Sequence, residues 1–302
     1  MHLINVIIIW QSYDLPLFIS PNSTITCIFV SPNDNDLIFM TLYNIIEPKV
    51  EQVPIIISSP HSGTFFPEDI ASKLYPEKAN NPDDTDWFID KLYDFAPAMG
   101  ITMITANYSR WVIDLNRTPE SKPLYNDGRV ITGLVTTTNF NGDPLYKDEL
   151  PTQEDIACRI ENYYRPYHQK IADLLEDTKQ KFGKALLFDA HSIRKVVPGI
   201  RKEAFPDLIL GDNDETSASK TIIEATMSAL KTANKDLEHN HPFKGGHITR
   251  SFGNPANNIH ALQLEMAKTN YMDDSETKYH EERANATRAT LKLLFENLIN
   301  TL

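Results

Sequence analysis

The sequence predicts an α/β protein, and three observations carry that prediction. Strand-like and helix-like stretches alternate along the 302 residues. Ile55, Ile56 and Ile57 are apolar at successive positions, as a central parallel strand buried on both faces requires. From Thr152 to Phe182, Ile156, Ile160, Tyr163, Tyr164, Tyr167, Ile171, Leu174, Leu175 and Phe182 recur at steps of three and four, the period of an amphipathic helix.

The elements follow in chain order. The opening "MHLINVIIIWQSYDLPLF" has a short apolar run but neither the basic start nor the cleavage site of a signal peptide. "TLYNIIEPKVEQVPIIISS", after Met40, reads as the start of a domain. Residues 1–39 are therefore expected to be an N-terminal extension and 40–302 the main domain, with Met40 as the expected start of translation. After the Ile55 strand, "DDTDWFIDKLYDFAPAMG" predicts a helix with Trp87, Phe88, Leu92, Phe95 and Ala96 on one side and Gly100 as its stop. "ITMITANYS" and "RWVIDLNR" predict two further strands. The stretch from Thr118 to Pro151 is rich in Gly, Pro, Asn and Asp, and predicts a long loop of the kind that walls active sites. Thr152 is a natural N-cap for the helix that follows, and Pro166, which lacks a backbone donor, predicts a kink near Arg165. "KALLFDAHSI" predicts a buried strand from Ala185 to Asp189. Helices are expected over Ser217–Asn234 and Glu276–Leu298, and between them "HALQLEMA" alternates Leu262, Leu264 and Met266 against Ala261, Gln263 and Glu265, as a strand does.

Composition narrows the function. The hydrophobic fraction of 41% suffices for a substantial core, while a net charge of −12 disfavours nucleic acid and anionic membranes as partners. No window reaches the roughly 18 apolar residues of a membrane span. Cys27 and Cys158 form no CxxC pair and no disulfide scaffold, so a reducing cytoplasm is expected. A homo-oligomer is left open.

Three apolar runs end in polar groups: "SPHSG", "DAHS" and "LQLEM". Sites in open α/β sheets lie at the carboxyl ends of strands, so His61, His191 and Glu265 are candidates for one cleft. Two histidines and a carboxylate from separate elements are the usual ligand set of a catalytic zinc. The competing reading has each histidine satisfying a local hydrogen bond. Ser62 and Ser192 each follow a histidine, but neither lies in a G-x-S-x-G elbow, and adjacent side chains on a strand face opposite ways. For the carboxylate ligand, Asp86 is the choice, Asp84 is assigned to capping the helix expected there, and Glu68 competes. Arg110, Arg117, Arg194, Arg201 and Arg250 lie near strand ends and suggest a pocket for a small dianion, since a guanidinium holds a carboxylate in a fixed fork. "KGGHIT" lacks the Walker pattern; its His247 either donates to an oxyanion or packs.

Taken together, "SSPHSGTFFP", "DDTDWFIDKLYDFA", "YSRWVIDLNR", "TGLVTTTNFNGDPLY", "DAHSIR", "PDLILGDNDETSAS" and "FKGGHITRSFGNPANNIHALQLEM", in that order, resemble the N-formylglutamate amidohydrolase (N-formylglutamate deformylase) family from Met40 to Leu302. The resemblance implies a three-layer fold like that of the zinc carboxypeptidases and phosphorylase-like hydrolases, a mixed central sheet with helices on both faces. It implies hydrolysis of N-formyl-L-glutamate to L-glutamate and formate, the last step of one histidine-degradation route. It further implies Zn²⁺, or another divalent ion, on His61, Asp86 and His191, with Asp86 replacing the H-x-x-E glutamate of the carboxypeptidases, where this chain has Thr64. Glu265 is similar to the carboxypeptidase base. His247 stands where the family usually has an aromatic residue and is expected to help at the oxyanion. Arg117, Arg194 and Arg250, with Arg110, are expected to hold the dicarboxylate, and Asp189 to orient His191. The rival expectations are a zinc hydrolase of another N-acyl amino acid or short peptide, and a binding protein that captures dicarboxylates without turnover.

Overall fold

The structure, a computed structural model, describes residues 41–120 and 132–302, together with the backbone of Ile7–Ile8, Thr26–Phe29 and Ile38–Thr41. The expected extension, residues 1–39, lies outside the described residues apart from those strands, which pair into a small three-stranded sheet. Residues 121–131 of the expected long loop lie outside them as well.

The main sheet has seven strands: β1 (Tyr43–Ile46), β2 (Ile55–Ser59), β3 (Thr102–Ala106), β4 (Ala185–Ile193), β5 (Leu208–Gly211), β6 (Leu237–His239) and β7 (Ile259–Ala267). Their order is β1-β3-β2-β4-β7-β5-β6. β3, β2, β4 and β7 run parallel, while β1 and β5 are antiparallel to their inner neighbours, so the sheet is mixed. β2, β3, β4 and β5 are buried at every position, the signature of strands covered on both faces.

Five helices matter for the site: α1 (Gln153–Arg159), α2 (Arg165–Phe182), α3 (Lys220–Lys231), α4 (His247–Phe252) and α5 (Glu281–Thr301). The two-residue strand period sorts the core into two layers. Ile55, Ile57, Leu186, Phe188, Leu262 and Leu264 pack with Ile222 and Leu230 of α3 and with Leu291, Leu294 and Phe295 of α5. Ile56, Ala185, Leu187 and Ala261 face the other way, against Tyr164, with Tyr167, Ile171 and Leu175 of α2 and Ile248 of α4. Among the described residues no helix is long and apolar enough to cross a membrane.

The expected long helix is real and has a defect where Pro166 demanded one. Thr152 and Asp155 form a reciprocal capping box at its start. Ile160–Tyr164 winds as a π-turn immediately before Arg165. The backbone there absorbs the missing proline donor without ending the helix. Gly183, at φ 76°, closes α2 in the left-handed conformation.

Other expectations need correction. The helix expected over "DDTDWFIDKLYDFAPAMG" is only one turn, Ile89–Leu92, followed by a 3₁₀ turn at Ala96–Met99. Phe88 at φ 63° interrupts the right-handed winding, and the aspartates before it spend their side chains on tertiary contacts. "RWVIDLNR" is not a strand. The Asp114 carboxylate accepts the Asn116 backbone N–H at 2.9 Å, a local turn that competes with a sheet ladder. β4 runs on past Asp189 to Ile193, so both of its polar positions lie inside the strand. The short strands β1, β5 and β6 and the helix α4 were not expected, since three to six residues show too little period to read.

Phe188 is fully buried at the centre of the first layer, with Phe295 at 5.0 Å and Tyr93 at 6.3 Å between ring centroids. Phe188→Ala is expected to cost about 3–5 kcal/mol in a denaturant titration. A cost below about 1 kcal/mol would mean this layer does not close as described.

Candidate active site

β4 and β7 lie side by side in a register that sets Gln263 against Asp189 and Glu265 against His191. On the α2 side of the sheet, alternate residues read Ala185, Leu187, Asp189, His191 along β4 and Ala261, Gln263, Glu265 along β7. The same face is thus apolar under the helices and polar at the carboxyl ends of the strands. His61 follows β2 by two residues and reaches the same end. Its carbonyl accepts the Asp86 N–H at 2.9 Å, which locks the Asp83–Trp87 turn onto it. Gly63 allows this loop to lie against the backbone after β3, because a Cβ there would stand 2.4 Å from the Tyr108 carbonyl oxygen.

His61, Asp86 and His191 converge, all three buried, with one ligand atom from each within 4.8 Å of the others. Nδ1 of both imidazoles faces Asp86: Oδ2 stands 3.0 Å from His191 Nδ1 and 3.8 Å from His61 Nδ1. The opposite nitrogens are anchored. His61 Nε2 lies 2.8 Å from Asp114 Oδ1, and His191 Nε2 lies 2.8 Å from Asp189 Oδ2. A carboxylate on the far nitrogen fixes ring orientation and tautomer, the arrangement around metal-bound histidines. His61 Nδ1 has no hydrogen-bond partner although it is buried. An orphaned imidazole nitrogen, a second imidazole nitrogen and a carboxylate oxygen facing one point are a donor set that fits a divalent cation.

The electrostatics follow from burial and neighbours. Burial and the nearby Arg110 guanidinium lower the His61 pKa, outweighing Asp114, which keeps that ring neutral and able to ligate. Burial also acts to lower His191, but Asp189 and Asp86 outweigh it and push its pKa well above the ordinary range. Burial would raise Asp114, yet Arg110, at 2.7 Å, together with His61 holds it well below the usual carboxylate range. Glu265 is partly buried, with Gln263 Nε2 3.5 Å from its Oε2, and burial raises its pKa to about 8.

Asp84 and Glu68, the competing carboxylates, are elsewhere. Asp84 accepts from Trp111 Nε1 at 3.0 Å and from the Phe140 N–H at 3.1 Å, and no helix starts beside it for it to cap. Glu68 is exposed in a single-turn helix. The arginines divide. Arg110 is buried and pairs with Asp114 behind His61. Arg117 is half-buried and donates to the Thr132 carbonyl and hydroxyl and to the Asn116 carbonyl. Arg194 is half-buried and pairs with Asp83. Arg250 donates through Nε to the Gly245 carbonyl at 2.8 Å, and Arg201 lies on the ring of Phe205. His247 lies at the start of α4. Its ring packs on the aromatic wall of Tyr164 and His168, with centroids at 6.3 and 5.6 Å.

Two residues near the centre were missed in the sequence. Asp114 anchors His61, and Asn116 ties three elements together. Asn116 Nδ2 lies 3.1 Å from Asp189 Oδ2 and 3.0 Å from His191 Nε2, and its Oδ1 accepts the Ile248 N–H of α4 at 2.8 Å. The available signal was that a ligating histidine requires a buried acceptor behind it, and "DLN" offered one.

The sequence profile of the family described as N-formylglutamate amidohydrolase matches residues 53–272. An N-formylglutamate deformylase from Pseudomonas aeruginosa is 42% identical over 252 residues, 82% of this chain and 93% of that protein. One from Pseudomonas putida is 40% identical over the same shares. Among solved structures, the N-formylglutamate amidohydrolase from Ralstonia eutropha is similar at a TM-score of 0.71 and 27% identity, covering 86% of this chain and 96% of that one.

The raised Glu265 pKa has a consequence measurable without metal. Its folded value of about 8 exceeds the ordinary 4.5, so the folded chain holds that proton more tightly than the unfolded chain. The resulting stability is present in full below pH 4.5 and is lost as pH rises through about 8. Glu265→Gln never ionises. In metal-free protein its advantage over wild type is expected to grow from about pH 5 to about pH 9, reaching about 1–3 kcal/mol after allowance for partial exposure. Parallel melting curves at both pH values would contradict the assignment.

Proposed function

The chain belongs to the N-formylglutamate amidohydrolase family, and we propose that it hydrolyses N-formyl-L-glutamate to L-glutamate and formate with the help of a bound zinc ion. The observation that carries the reading is the buried His61–Asp86–His191 group, whose rings present Nδ1 inward and whose far nitrogens are tethered to Asp114 and Asp189. These three residues would hold the ion. When bound, it supplies a Lewis acid that polarises the formyl carbonyl and acidifies a water.

The chain supplies the rest. Glu265, next to His191 across the β4–β7 ladder, takes the proton of the attacking water and delivers it to the leaving amine nitrogen. Its elevated pKa suits both halves of that task, since a base must also be acid enough to return the proton near neutral pH. Arg117, Arg194 and Arg250 supply positive charge for the two substrate carboxylates, and Arg110 holds Asp114 in place behind His61. The sparse cysteine usage favours a reducing cytoplasm as the compartment.

Formate release from N-formyl-L-glutamate, measured before and after chelation and alongside metal analysis, tests the proposal. Turnover is expected to vanish with the metal and return with zinc. Glu265→Gln is expected to keep the metal and lose about 10²–10⁴-fold in kcat. His61→Ala and His191→Ala are expected to lose the metal. Full turnover by stripped protein, or an unimpaired Glu265→Gln enzyme, would overturn the mechanism. Faster release of acetate or succinate from the corresponding N-acyl glutamates would move the substrate to a larger acyl group.

A further inference from the structure

Ser192 and Tyr271 take no part in the chemistry above, but both reach the frame of the candidate metal group from the far side of the sheet. Adjacent residues on a strand face opposite ways, so Ser192, next to His191 on β4, points into the α5 layer with Phe188 and Ala190. It is buried and stands opposite Met266 in the β4–β7 ladder. Tyr271 lies in the same layer, fully buried, after the 3₁₀ turn Lys268–Asn270 that follows β7. Its hydroxyl donates to the Trp87 carbonyl at 2.9 Å and lies 2.7 Å from the Ser192 hydroxyl. A tyrosine carries one hydroxyl proton, so with that proton on the carbonyl, Ser192 donates the second bond.

The positions of the two partners matter. Trp87 follows Asp86 and Ser192 follows His191, so one hydroxyl joins the chain beside two of the three candidate ligands. It does so from the segment that leaves β7, the strand of Glu265. Asp86 depends on such a hold more than either histidine. His191 lies within a strand and His61 two residues after one, whereas Asp86 lies in an irregular turn before the single-turn helix Ile89–Leu92. His61 accepts the Asp86 N–H on one side, and Tyr271 takes the Trp87 carbonyl on the other. Tyr93 supplies the contrast. It is equally buried in the same layer, and its hydroxyl has no hydrogen-bond partner among the described residues. The layer tolerates an unbonded phenol, so burial alone does not account for the two bonds of Tyr271.

We propose that Tyr271, with Ser192, is a positioning strut that fixes the Asp86 turn against the His191 strand and thereby sets how tightly the group holds its cation. This rests on the metal reading above. A donor set binds strongly when its atoms are already in place, because the cost of ordering them then does not fall on binding. Without the strut, the turn regains freedom that a cation must remove. Partners behind metal ligands influence affinity in this way, by about 10–100-fold when one is removed. The strut touches neither the ion nor the substrate, and acts only through the backbone next to Asp86 and His191.

The test measures zinc affinity, by competition with a chromophoric chelator, in wild type, Tyr271→Phe, Ser192→Ala and Tyr93→Phe, with melting curves of each metal-free protein. Tyr271→Phe is expected to weaken zinc binding about 10–100-fold and to shift the absorption spectrum of the cobalt(II) form, which reports ligand geometry. Ser192→Ala is expected to weaken binding less, since the Trp87 bond remains, and the double variant to match Tyr271→Phe. Tyr93→Phe is expected to leave affinity and spectrum unchanged. Wild-type affinity and an unaltered spectrum in Tyr271→Phe, whatever its melting temperature, would assign the hydroxyl to core stability and overturn the strut. An equal loss in Tyr93→Phe would overturn it too. Should Tyr271→Phe not fold, Ser192→Ala carries the comparison: weakened binding supports the strut and unchanged binding removes it. These readouts need no turnover. If wild type binds zinc but releases no formate, the functional reading fails on its own and the affinities still decide the strut. If wild type binds neither zinc nor cobalt, both fail.

Discussion

The site depends on one constraint: charges buried at the carboxyl ends of the strands must neutralise one another in sequence. Arg110 faces Asp114, Asp114 faces His61, Asp86 lies between His61 and His191, and His191 faces Asp189. Any one of these groups left alone in that interior would cost several kcal/mol or would change its protonation state. Paired as they are, Arg110 keeps Asp114 ionised, and Asp114 holds the His61 ring. The gap in the chain is the space between His61 Nδ1 and Asp86, where a proton donor is lacking and a cation fits. Function and structural need coincide at that gap.

The sheet makes this chain of charges possible because it fixes positions without using side chains to do so. Parallel β4 and β7 place Asp189, His191, Gln263 and Glu265 on one face by period alone. The apolar residues preceding them on the same face anchor α2 and α4. Asn116 then joins the layers: it accepts the Ile248 N–H of α4 and donates towards Asp189. Gly246 packs so close to it that a Cβ would stand 2.4 Å from Asn116 Nδ2. The loop carrying Arg117 and the helix carrying Arg250 are thereby held relative to the histidines.

What the sequence made legible was whatever depends on local pattern. The strands leading to His61 and His191, the long helix with its Thr152 cap and the alternation in "HALQLEMA" are all periodic over enough residues to read. Asp114 and Asn116 were not legible as site residues, because "RWVIDLNR" carries strand-like apolar density. Only the tertiary pairing with His61 and Asp189 turns it into an irregular, polar-anchored loop. The burial of Arg110 was hidden for the same reason: its partner Asp114 is four residues away, and nothing local shows that the two are buried together. The burial of Lys268 was equally hidden, since a lysine after a strand ordinarily reads as a surface charge.

Asp84 and Asp86 show how little the residue type decides. Both are buried, and they stand two residues apart in one turn. Burial raises the Asp84 pKa beyond what Arg110, Trp111 and the Phe140 N–H return, and its carboxylate serves to clamp the loop at Phe140. Burial acts on Asp86 in the same direction, but His191 and His61 more than offset it and its pKa falls. A carboxylate ligates a cation in its ionised form, which the surroundings of Asp86 favour and those of Asp84 disfavour. The choice between them was open in the sequence because both readings use an aspartate near a turn. In the fold only one of the two faces a pair of imidazoles.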